Sequence, residues 1–407
     1  MPQREADCHA FARYVITVPI ALLATLLFLA GASQPAQSQT YSVIYNFTAE
    51  GNDGGSPYGG PTLDHSGNLY GTTYTGGTYG SGSVYRLSPN GSSWTYDSLY
   101  SFKAGPDGVG PGFGSLALGP DGALFGTTEG GGYFGTAFAI CACAEGESQI
   151  HSFGVGSDGA QPIGGLVMDS TGNFYGTASL GGAYGNGTVY EEVRSGETWT
   201  ESTLYSFIGT NDGTNPASTL SLDANGNIYG TTSFGGANDV GMVFELSPSG
   251  SGWEQTVLYT FQGLNDGQNP LGGVTFDEAG NLYGTTFDGG VNGGGTVYEL
   301  SPSASGWTFS TLYSFTGIYG GPYNKLALSK GNLYGATLND GADGFGSVFE
   351  LTRAKGGWKF TDLYDFAGAS EGAEPYGSVA VDSNGNIFGT TNEGGSDNQG
   401  LVFEITP

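Results

Sequence analysis

The chain has 407 residues, of which 77 are glycine and only 12% are charged, while 24 Phe and 25 Tyr supply the bulk for packed cores, so the glycine content signals turns rather than disorder. A net charge of −28, from ten Lys plus Arg against 38 Asp plus Glu, leaves no basic stripe for a phosphate backbone and excludes nucleic acid as a partner. With so few bases, most carboxylates must be hydrated, hydrogen-bonded or cation-bound.

Residues 1–32 read as a secretory signal: Arg4 and Arg13, then an apolar run of 17 residues from Tyr14 to Ala30, then Ala30-Gly31-Ala32 as a small-x-small cleavage site. Left uncleaved, the run sits at the lower limit for spanning a bilayer, which is the only membrane contact expected. No cysteine follows it, so lipoprotein processing is not indicated. Residues 33–40 form a short linker, and a single domain is expected over 41–407. Cys8 would leave with the signal, and Cys141 and Cys143 alone cannot form a disulfide framework. The expected location is secreted, periplasmic or cell envelope, and the expected state a monomer.

From Tyr41 onward the dominant signal is a repeat. Gly67-Asn68-Leu69-Tyr70-Gly71-Thr72-Thr73 returns in related form at Gly122, Gly172, Gly226, Gly280, Gly331 and Gly385, at spacings of 50 to 55 residues. Each period holds four short strands. In the fourth copy these are Leu220 to Leu222, Ile228 to Thr232, Met242 to Leu246 and Trp253 to Phe261, with a Ser247-Pro248 turn after the third. Asp223 before the first turn is placed to accept backbone N–H bonds, and Gly226 supplies positive φ. The five Trp (Trp94, Trp199, Trp253, Trp307, Trp358) fall at one repeat position and are read as packing residues.

The chain ends on a third strand, Val402 to Ile405, while Tyr41 to Phe47 is a fourth strand with no first three before it. Seven third strands balance seven fourth strands only if the N-terminal strand completes the last blade. The predicted fold is all-β: a seven-bladed β-propeller of four-stranded blades, closed by that strand.

These motifs resemble the Gloeo/Verruco (GloVer) tandem repeat of bacterial extracytoplasmic proteins, through Gly280 to Thr286 (Gly-Asn-Leu-Tyr-Gly-Thr-Thr), Thr296 to Pro302 (Thr-Val-Tyr-Glu-Leu-Ser-Pro) and Leu312 to Phe315 (Leu-Tyr-Ser-Phe). The resemblance covers nearly the whole mature chain and implies an extracytoplasmic protein. Members often carry a C-terminal sorting anchor; none precedes Pro407, so simple secretion is the expectation. The resemblance brings no catalytic residue with it.

Propeller topology puts the linker from each outer strand on the same face as the loop joining strands two and three. That face is expected to carry Asp53, Asp107, Asp158, Asp212, Asp266 and Glu371, an acidic rim suited to hydroxyl-rich ligands or cations, though Asp-Gly is also an ordinary turn former. The irregular sixth unit adds Tyr319, Tyr323 and Lys325 as exposed candidate ligand contacts. No Asp-x-Asp-x-Asp-Gly loop occurs, so no metal or cofactor is expected, with Ca2+ the one cation the rim would suit. The series Glu245, Glu299, Glu350 and Glu404 reads as an exposed or hydrogen-bonded strand position, and a carboxylate pair among them stays open. In the second unit Cys141, Cys143 and His151 depart from the pattern, without a zinc spacing. Gly368-Ala369-Ser370-Glu371-Gly372 matches a nucleophile elbow outside its strand-turn-helix context. The reading is a non-enzymatic propeller binding a saccharide or protein through its loop face. The alternatives are a carbohydrate-active hydrolase or lyase with channel carboxylates, and a structural or adhesive envelope protein.

Overall fold

The computed structural model describes residues 39–407 apart from 142–146, 155, 197, 251 and 318–319. The signal-like segment, Cys143 and Tyr319 lie outside the described residues. Tyr41–Thr406 form one compact unit. Among the described residues no helix is long and apolar enough to cross a membrane.

This unit is a ring of seven antiparallel blades of four strands each, the expected seven-bladed propeller, with the linker segment Val109–Pro111 added to the sheet of blade II as a fifth strand. Blades I to VI span residues 62–101, 117–152, 167–206, 221–260, 274–314 and 327–365. Blade VII joins Ala380–Val381, Ile387–Thr391 and Leu401–Thr406 to Thr40–Asn46, which lies outermost against Leu401–Thr406. The N-terminal strand thus closes the ring and covers an edge that would otherwise be open to aggregation.

Each blade has the same internal logic. The glycine of Leu-Tyr-Gly-Thr-Thr lies cross-strand from a buried aromatic residue of strand three: Gly71 from Tyr85, Gly230 from Phe244, Gly284 from Tyr298. A Cβ on Gly284 would come within 2.3 Å of the Tyr298 hydroxyl, so glycine is required there by the ring that covers it. After the aromatic-bearing pair of strands, a register shift recurs between strands three and four, for example at Val243/Phe244 and Val297/Tyr298. Such a bulge increases the local twist.

The Ser247-Pro248 turn expected from sequence is not a turn. Strand three runs Met242–Ser249, and Pro248 pairs with Trp253. Strand two has already ended opposite Leu246, so no partner asks for the missing proline N–H. Each fourth strand stops one residue short of its phenylalanine, whose N–H donates back to a loop glycine, as in Phe207 to Gly187 O (3.1 Å) and Phe261 to Gly241 O (3.1 Å).

Seven apolar clusters fill the seven blade interfaces. Tyr175, Val189 and Phe207 of blade III and its strand end pack on Leu220, Ile228, Phe244 and Leu246 of blade IV, with Trp253 against them. Phe47, Leu69, Tyr85, Leu87, Phe388 and Val402 seal blade VII to blade I. The tryptophans are packing residues: Trp94 meets Phe388 at 5.9 Å and Trp358 meets Tyr283 at 5.6 Å, edge to face.

Candidate functional site

The linker and the loop between strands two and three share one face and pair directly. Gly54–Gly55 pairs with Thr75–Gly76, and single bridges join Ala160 to Leu180, Thr214 to Phe234, Gln268 to Asp288 and Ala373 to Glu393. The six acids expected on this face are spread around it, one to a linker, and each carboxylate is engaged within its own loop. Asp212 accepts from the Tyr205 hydroxyl, Ile208 N and Gly209 N, all at 2.8 Å. Asp266 accepts from Tyr259 (2.8 Å), Gln262 N (2.8 Å) and Gly263 N (3.1 Å). Asp107 takes Tyr100 and Lys103 N at 2.6 Å, and Glu371 takes Tyr364 at 2.7 Å. In the second unit His151 stands where the other fourth strands carry Tyr and meets Asp158 at 3.2 Å, which accounts for that departure from the repeat. Asp53 is buried and accepts from Thr48 N, Thr48 Oγ1 and Gly54 N at 2.8 Å. These bonds fasten each linker to the strand that precedes it.

Tyr323 and Lys325 are not the exposed pair that the sequence suggested. Both are half-buried. Tyr323 packs against Tyr376 (5.2 Å), Phe287 (5.7 Å) and Phe113 (6.1 Å), and Tyr58 joins the cluster through Phe113 and Tyr376. Contacts among blades VI, VII, I and II place these rings around the axis. Lys325 turns inward and reaches across to blade IV, where its ammonium donates to Leu220 O (3.1 Å) and Ser221 Oγ (2.6 Å). Burial without a carboxylate pulls this lysine down to about 8.

The residues missed in the sequence are apolar. Among the described residues, the large hydrophobic side chains that stand exposed all lie on the loop face except Val257: Tyr79, Tyr133, Phe134, Leu180, Tyr184, Ile208, Phe234, Leu264, Val291 and Phe345. Tyr79 and Tyr184 occupy the same place in the loops of blades I and III, Tyr133 stands in the shorter loop of blade II, and the three are 56%, 60% and 81% exposed. Concave grooves continue the face: one of about 690 Å3 beside Phe234, Gly209 and Asp239, and one of about 380 Å3 beside Leu264, Val291 and Asp288. The Asp212 and Asp266 clamps hold Gly209 and Gly263 in their walls. The signal in the sequence was the recurrence of tyrosine inside glycine loops in three consecutive copies only.

Glu245, Glu299 and Glu350 accept from Tyr229 (3.0 Å), Tyr283 (3.3 Å) and Tyr334 (2.7 Å) in three different blades. Ser370 sits in the one-turn 3-10 segment Ala369–Glu371. Cys141 is disulfide-bonded. Among the described residues no group of three or more His, Cys, Asp or Glu could hold a metal ion.

A model of the Gloeobacter/Verrucomicrobia repeat matches residues 33–218, 133–255 and 251–407. No curated protein matches the chain. Among solved structures, a candidate 6-phosphogluconolactonase from Bacteroides uniformis is similar at 13% identity and a TM-score of 0.51, over 75% of this chain and 83% of that one. A protein of unknown function from Dyadobacter fermentans is 12% identical with a TM-score of 0.47, over 91% and 98% of the two chains. A candidate oxidoreductase (glucose dehydrogenase) from Thermus thermophilus is 16% identical with a TM-score of 0.44, over 71% and 95%. At these identities the Bacteroides uniformis structure supports the fold alone.

Proposed function

Because the chain belongs to the Gloeobacter/Verrucomicrobia repeat family, we propose that it is an extracytoplasmic, non-enzymatic propeller that binds a saccharide through its loop face. The observation that carries this reading is the arc of exposed tyrosines, Tyr79, Tyr133 and Tyr184, on three adjacent blades. A tyrosine ring offers a flat apolar surface for the C–H face of a sugar and a hydroxyl for its polar edge. Holding such rings in water is costly unless something covers them, and monomeric proteins rarely collect exposed apolar groups on one face without a use for them. The acidic rim then acts as scaffold: its carboxylates fix the linkers that shape the grooves, with backbone N–H and C=O groups of the glycine loops left to meet hydroxyls.

A second reading, a carbohydrate-active hydrolase or lyase, draws on Glu374 and Glu393. Burial, reinforced by the neighbouring Glu393 charge, raises the Glu374 carboxyl, and the pair lies beside Tyr58 and Tyr376 at the axis. One screen separates the readings: the purified protein on a glycan array, in parallel with a polysaccharide panel assayed for product release. Saturable binding without product supports the binding propeller, and product formation lost in Glu374→Gln supports the second reading.

A further inference from the structure

On the opposite face, between blades II and III, the strand-one-to-two turns and the third hairpin enclose a pocket of about 350 Å3 lined by Trp199, Phe125, Phe174, Asn173, Arg194 and Asp121. Its floor is aromatic: Phe125 and Phe174 lie 4.1 Å apart, and Trp199 meets them at 5.9 and 5.7 Å. Its volume falls in the range of small-ligand sites, about 300–1,000 Å3.

A sister arrangement elsewhere in the ring shows what is missing. In blade VI, Arg353 occupies the place of Arg194. It stacks on Trp358 at 4.6 Å and reaches Asp277 (3.2 Å) and Glu299 (3.9 Å) of blade V. Glu299 is the cross-strand partner of Tyr283; in blade II the partner of Phe125 is Ala139. Asp277 opens the turn that ends at Gly280; before Gly122 that place is Gly119. Both acids that neutralise the sister arginine are therefore absent. Arg194 lies exposed over Trp199 at 5.7 Å, and its Nε donates to Gly196 O at 3.1 Å. Its guanidinium makes no ion pair among the described residues.

We propose that this pocket binds an acidic sugar residue, a hexuronate. Its carboxylate takes the place of the missing Asp and Glu on Arg194, as guanidinium geometry favours. Its ring lies on Trp199, and its hydroxyls donate to Asp121 on the facing wall. Among the described residues the other two arginines, Arg86 and Arg353, are ion-paired within the protein, which leaves the Arg194 guanidinium as the one open to an outside carboxylate.

The test is titration calorimetry of the purified full-length protein with tri-galacturonate and, as the neutral control, its methyl ester. The acid binds, and the ester binds at least about tenfold more weakly. Arg194→Gln loses at least about tenfold for the acid at unchanged melting temperature, and Ala139→Glu, which restores an internal partner for Arg194, does the same. A variant lacking Tyr79, Tyr133 and Tyr184 keeps this binding, so the site stands or falls independently of the loop face. No heat with tri-galacturonate at millimolar concentration, equal binding of acid and ester, or full binding by Arg194→Gln overturns the proposal.

Discussion

Glu192 and Glu201 face each other across strands three and four of blade III, and Glu192 is wholly buried with neither carboxylate oxygen hydrogen-bonded. The other blades place an aliphatic residue there, as at Leu246 and Leu300. Burial, then the Glu201 charge, raises Glu192 to about 8, and burial also raises Glu201 to about 7. Below about pH 4.5 both the folded and the unfolded chain hold these protons. As pH rises the unfolded chain releases them first, so stability falls progressively until the folded groups ionise near 7 to 8. Replacing Glu192 by Leu should flatten this decline and add about 1–3 kcal/mol at pH 7, a rise of a few degrees in melting temperature. Melting curves at pH 5, 7 and 9 check it; an unchanged slope would show that Glu192 is not the titrating group.

Asp212 is a linker clamp. Removing its carboxylate with Asp212→Ala strands the Tyr205 hydroxyl and two N–H groups and should cost about 2–3 kcal/mol, whereas Tyr205→Phe should cost about 1 kcal/mol. The two changes touch one bond, so their effects should not add in the double variant. Urea unfolding of the four proteins measures this, and a fully stable Asp212→Ala protein would refute a structural role.

Tyr298 presses on Gly284 with its hydroxyl buried and unpartnered, as do Tyr85 and Tyr190 in their blades. Blades II, IV, VI and VII use Phe at this position. Tyr298→Phe should be neutral or stabilising by up to about 1 kcal/mol. Gly284→Ala, which drives a methyl into the ring, should cost about 1–3 kcal/mol and be partly rescued by Tyr298→Leu. Thermal denaturation of the three variants decides, and a destabilised Tyr298→Phe would mean that the hydroxyl has a partner.

The strands and the closure were legible because they rest on short-range chemistry repeated seven times. Asp223 and Gly226 mark a turn wherever they occur, and Tyr41 to Phe47 could belong only to the blade that Val402 to Ile405 leaves short. Ser247-Pro248 misled because a proline is tolerated inside strand three once strand two has ended, a fact of pairing rather than of sequence. The acidic rim was placed on the correct face, but nothing in an Asp-Gly pair tells that Asp212 turns back onto Tyr205. In the sequence Lys325 reads as a surface group, because its reach to Leu220 and Ser221 joins residues over a hundred positions apart. The unpaired Arg194 emerges only when Gly119 and Ala139 are brought beside it.

The most direct test of the loop-face reading is the affinity of the purified protein for the glycan selected on an array, compared with that of the combined Tyr79→Ala, Tyr133→Ala and Tyr184→Ala protein. All three side chains are exposed, so the melting temperature should hold while binding weakens by about tenfold or more. Unchanged affinity in a folded triple variant would contradict a saccharide site on this face.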